Sequence, residues 1–140
     1  MKSMQTLMRL KQREIDALKR SQATMEEHRE MMHDALNKLS QALVAEFKAA
    51  EKLPDMAQFY GGFSSQIKKR QEQIHVQLRK LEFELNKVTE QIRDRFSELK
   101  KYELALKAHQ KREADKARRA EQQEMDEIAI RGYIRRHAQQ

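Results

Sequence analysis

The chain has 140 residues, 36% of them charged, and its 29 Lys and Arg outnumber 22 Asp and Glu for a formal net charge of +7. Cysteine is absent, which excludes disulfides and thiol nucleophiles, and three Gly with one Pro are too few for a loop-rich globular domain. A mean hydropathy of −0.98 leaves two classes standing, a disordered chain or long solvated helices, and apolar periodicity separates them.

The N-terminal stretch MKSMQTLMRLKQREID has no unbroken apolar run, so no targeting segment is expected there. Nowhere do about 18 apolar residues follow one another, as a membrane-spanning helix requires. The expectation is a soluble, cytoplasmic protein in a reducing compartment.

The first fifty residues carry a seam of alternating four- and three-residue steps. From Met4 the walk visits 4, 8, 11, 15, 18, 22, 25, 29, 32, 36, 39, 43, 46, 50 and 53, and only Lys11, Gln22, Arg29 and Glu46 are polar. Such a seam, held over several heptads, marks a coiled-coil helix. A helix over about 3–53 is predicted. It would be roughly 75 Å long at 1.5 Å per residue.

PDMAQFYGGFSS (Pro54–Ser65) then holds the sole proline and two of the three glycines. Proline breaks a helix interior and a glycine pair frees the backbone to turn, which places a corner at about 54–64.

The seam resumes at Ile67 and continues through Gln71, Ile74, Leu78, Leu81, Leu85, Val88, Ile92, Arg95, Leu99, Tyr102 and Leu106, with only Gln71 and Arg95 polar. A second helix over about 65–136 follows, roughly 105 Å in length. A short corner makes the two helices pack antiparallel. The predicted fold is therefore all-α: one domain over 1–140, an antiparallel two-helix coiled-coil hairpin whose longer second helix overhangs at the C-terminus. Matching the polar seam positions, Gln22 to Arg95 and Glu46 to Gln71, sets residue i level with residue 117−i. The N-terminus would then lie level with about residue 113.

Chemistry is thin along both helices. Phosphate-loop, nucleophile-elbow and His-Glu-x-x-His patterns are missing. Glu30–His33 and Glu72–His75 have the Glu-x-x-His spacing of carboxylate di-iron bundles, but the 117 register sets them apart, and two helices supply too few carboxylates. Neither catalysis, cofactor nor metal is expected. Lys107–Arg119 is basic, yet it follows the heptads, is interrupted by Glu113 and Asp115, and has no aromatic platform, so nucleic acid is not expected as a partner.

The overhang ends differently. Met125, Ile128, Ala129 and Gly132 share one helical face, and Ile130, Tyr133 and Ile134 widen it. Either this tip folds onto Met4, Leu7 and Met8 or simply frays, or it awaits a protein partner.

RAEQQEMDEIAIR (Arg119–Arg131) resembles the C-terminal signature of the FliJ family, the coiled-coil stalk of the bacterial flagellar type III export ATPase. The shared pattern is a basic stretch, then Gln, then Met-Asp-Glu, an apolar residue and Ala. Tyr60-x-x-Phe63-x-x-x-Ile67, followed by Glu72-Gln73, is similar to a second family segment just after the corner. Chain length and corner position agree with the family, and the tail motif is the specific part.

The resemblance implies a non-enzymatic protein of flagellum biogenesis and motility, peripheral at the membrane-embedded export apparatus. Its paired termini would enter the ring of the export ATPase, with Arg119, Gln122, Met125, Asp126, Glu127, Ile128, Ala129 and Arg131 as ring contacts. Tyr60, Phe63 and Ile67 would touch the export-gate membrane protein; in this chain Arg70 and Ile74 stand further along that face where the family has small or polar residues. Export chaperones are a further class of partner, and the stalk alone would be a monomer. The competing expectations are a structural scaffold that self-associates through the overhang and, for Phe63 and Ile67, a cap on the coil beside Leu53.

Overall fold

The computed structural model describes residues 2–53, 55 and 57–138. It is all-α, with two helices, α1 over Lys2–Lys52 and α2 over Ala57–Ala138. Ala, Leu, Gln, Glu, Lys and Arg lose little side-chain freedom in a helix, so sequences of this composition propagate one over many turns.

α1 stops where the sequence brings a proline, which disfavours the α conformation of the residue before it. The Leu53 amide still donates to the Ala49 carbonyl, at 3.0 Å, and Lys52 in the last turn complements the negative end of the helix dipole. Pro54 and Met56 of the expected corner lie outside the described residues.

The corner is shorter than its sequence suggests. α2 starts at Ala57 rather than about 65, so Gly61 and Gly62 are helical, and no glycine has positive φ. Each mid-helix glycine costs about 1 kcal/mol relative to alanine. Packing on both sides of the pair outweighs that cost: Tyr60 rests edge-to-face on Phe47, and Ser64 and Ile67 are buried.

Contacts divide the chain into two compact units, Arg13–Phe96 and Met1–Gln12 with Ser97–Gln140. In the first unit the seam is the core. Ile15 is fully buried, and Ile67, Ile74, Leu78, Leu85, Val88 and Ile92 are buried with it. Leu18, Gln22, Met25, Arg29, Met32, Leu36, Leu39 and Leu43 are half-buried, as are Gln71, Leu81 and Arg95. Glu46 and Leu53 leave the seam, and Leu53 is exposed.

Polar contacts between the helices show the direction of packing. Gln22 donates to Thr89 at 3.2 Å, Arg29 pairs with Glu82 at 3.3 Å, and Gln71 donates to Ser40 at 3.2 Å. Arg95 reaches Glu14 at 2.8 Å. As the α1 number rises the α2 number falls, so the helices are antiparallel.

These pairs correct the expected register. Level residues have numbers adding to 109–111, not 117, a shift of about one heptad. Gln22 does not meet Arg95, and Gln71 does not meet Glu46. Two causes act together. A connection from Lys52 to Ala57 brings the helices level some eight residues sooner than a corner over 54–64. Gln22, Arg29, Gln71 and Arg95 also each find a partner beside the seam, and Glu46 is exposed, so polar-to-polar matching within the seam has no energetic advantage.

In the second unit Lys11 pairs with Glu98 at 2.7 Å. Leu99 is buried, and Met4, Met8, Tyr102, Leu106 and His109 are half-buried. On this register Lys2 is level with about residue 107. Past His109 every described residue is exposed except Asp115 and Gly132, which are half-buried. About thirty residues of α2, roughly 45 Å of helix, therefore run beyond the end of α1.

Candidate interaction surfaces

The unaccompanied end of α2 holds every residue assigned to the ATPase ring by family resemblance. Arg119, Gln122, Met125, Asp126, Glu127, Ile128, Ala129 and Arg131 are all exposed. Met125 is 66% exposed, Ile128 61% and Ile134 59%, with Ile130 and Tyr133 similar. Packing of this tip on Met4, Leu7 and Met8 does not occur.

Its order is local. Gln122 donates to Asp126 at 3.1 Å, Arg118 pairs with Asp115, Lys116 with Glu113 at 3.6 Å, and Arg136 donates to the Gly132 carbonyl at 3.3 Å. Tyr133 and His137 touch with ring centroids 4.0 Å apart and planes inclined at 57°. Contacts three and four residues apart each contribute a few tenths of a kcal/mol to a solvated helix.

The three residues assigned to the export gate lie near the start of α2, in the other unit. Tyr60 and Phe63 are half-buried, whereas Ile67 is 7% exposed and belongs to the seam. Leu53, beside which the competing reading sets Phe63 and Ile67 as a cap, is 59% exposed.

Val44, Phe47 and Phe59, absent from that assignment, are exposed near the same end. Val44, Phe47 and Tyr60 line a shallow groove with Leu43, Lys48 and Glu51. A signal for this was present: Glu46 interrupts the seam and Phe47 follows it, so the apolar stripe swings one residue aside.

The Glu-x-x-His pairs lie closer along the hairpin than the 117 register implies, with residue 33 level with about 77. Among the described residues, however, no group of three or more His, Asp or Glu side chains converges on a metal-sized site. Glu72 pairs instead with Arg79, at 3.5 Å. No described helix is long and apolar enough to cross a membrane.

A two-helix coiled coil with shallow surface grooves and two exposed apolar ends belongs to the class of helical interaction proteins. The family model for the flagellar FliJ protein matches residues 1–138, nearly the whole sequence, and the chain belongs to the FliJ family. It is thereby a protein related to flagellar type III export. No match was found among curated proteins or among solved structures.

Proposed function

We propose that the chain is a non-enzymatic stalk of the flagellar export apparatus, with its C-terminal tip in the export-ATPase ring and its corner against the export gate. One observation carries this: five large apolar side chains between Met125 and Ile134 stand in solvent on a stretch of α2 with no other described helix beside it. Isolated exposed apolar residues are ordinary, but a contiguous cluster at a helix end marks a protein contact. Such a cluster supplies the binding anchors, and the charges around it steer the approach.

At the corner, Tyr60 and Phe63 are the accessible members of the assigned set, joined by Phe47 and Phe59. Ile67 supports them from the seam. In this proposal the protein works beside the membrane without entering it, at the export apparatus.

Co-purification with the export ATPase, read out by stimulated ATP hydrolysis, tests the ring contact. Met125→Asp and Ile128→Asp should abolish stimulation while helicity by circular dichroism stays unchanged. Full stimulation by both variants would overturn the tip assignment. Phe63→Ala should weaken gate binding and spare the ATPase, and the opposite pattern would mean that the two ends are exchanged.

A further inference from the structure

The tip's charges are sorted. Residues 121–127 contain Glu121, Glu124, Asp126 and Glu127 and no base, while 131–137 contain Arg131, Arg135, Arg136 and His137 and no acid. Met125, Ile128, Ala129 and Gly132 lie between. At 100° per residue, Glu121, Met125, Ile128, Ala129, Gly132 and Arg136 share one face, with Glu124 and Arg135 on the same flank. The helix dipole accounts for basic residues in the last turn, but not for an acidic run in mid-helix.

Gly132 is a second, independent observation. It sits inside α2 without positive φ, and a Cβ there would meet only the flexible end of Arg136, at 3.8 Å. Neither a turn nor crowding within the chain calls for glycine, which costs about 1 kcal/mol in a helix interior. Absence of a side chain at this position, half-covered only by its own helix neighbours, suits close approach by something outside the chain.

We propose that the tip pairs with the tip of a second copy of this chain, antiparallel, about a two-fold axis between Ile128 and Ala129. Glu121 then meets Arg136 of the second copy, Glu124 meets its Arg135, and Met125 fills the space left by its Gly132. A parallel pair would set acid against acid and base against base. Opposed helix dipoles also favour the antiparallel arrangement.

One helical stripe of this length covers well under the roughly 800 Å² per partner of a standard stable interface. The dimer is therefore weak and forms as concentration rises. It uses Met125, Ile128 and Ala129, so copies would separate before ring entry; that consequence alone rests on the stalk proposal.

Sedimentation equilibrium of the full chain, without ATPase, tests the pairing. The average mass should rise with protein concentration, and less so at high salt. Glu121→Arg with Glu124→Arg, and separately Arg135→Glu with Arg136→Glu, should each weaken association about tenfold, and mixing the two variants should restore it. Gly132→Leu should weaken the dimer although it adds apolar surface and helix propensity.

The chain has no cysteine, so single cysteines report orientation. Ile128→Cys should crosslink between copies, and Gln122→Cys, about 20 Å from its counterpart, should not. The proposal is overturned by a monomer at every concentration or by association that survives either charge reversal. It falls equally if the mixture fails to associate, if Gly132→Leu tightens the dimer, or if Gln122→Cys crosslinks. Proper stimulation of the ATPase by a strictly monomeric chain would leave the stalk standing and remove the dimer.

Discussion

Phe47 of α1 and Tyr60 of α2 meet edge-to-face across the corner, with ring centroids 5.6 Å apart and planes inclined at 64°. This contact joins the last turns of α1 to the first turns of α2 and helps hold Gly61 and Gly62 in helix. Aromatic pairs in this geometry contribute about 0.5–1.5 kcal/mol beyond burial. A double-mutant cycle of Phe47→Ala and Tyr60→Ala, followed by urea unfolding, should return a coupling energy in that range.

Gly61 and Gly62 are the easiest sites to improve. A Cβ at either meets nothing within 4 Å, and both have ordinary helical backbone. Gly61→Ala and Gly62→Ala should each stabilise the hairpin by about 0.5–1 kcal/mol, through lower backbone entropy in the unfolded chain. Thermal melts of the single and double variants check this.

Register is open to direct test because no native thiol interferes. Ser40→Cys with Gln71→Cys should crosslink readily, since the native side chains already touch at 3.2 Å. Glu46→Cys with Gln71→Cys, which the 117 register would favour, should not.

Among the described residues, Ile15 is the one fully buried large side chain. Ile15→Ala should cost about 2–5 kcal/mol, the range for large-to-small core changes. Glu46→Ala, at a seam position exposed to solvent, should fall within about 0.5 kcal/mol of the parent. Urea titrations of both would rank the seam positions by burial.

Much of this was written into the periodicity. Every seam position from Ile67 to Leu106 is buried or half-buried, and from Met4 to Leu53 only Glu46 and Leu53 escape. The step pattern fixes which face is inside because burial of apolar area is the main stabilising force available to so polar a chain. It does not fix register. Sliding by one heptad keeps the same two faces together although it sets Leu39 level with about Gln71 and Ile15 with about Arg95, and the choice falls to Thr89, Glu82, Glu14 and Ser40, none of which the four-three walk visits.

The corner was misjudged for a related reason. Gly61-Gly62 is a turn signal by local propensity, but Tyr60 and Ile67 recruit the pair into helix through packing. At the tip, apolar spacing showed which residues face outward. The sorted charges were equally present in the letters, and acquired meaning only once Gly132 proved uncrowded, with just the flexible end of Arg136 within reach of a Cβ.

The thirty-odd residues past His109 have one further consequence, for heat. An isolated helix depends on backbone hydrogen bonds and neighbouring side chains alone, and segments of that kind relax in about a microsecond or less. Warming should therefore erode α2 from its free end well before the seam around Ile15 gives way. Two temperatures, rather than one, would describe how this protein comes apart.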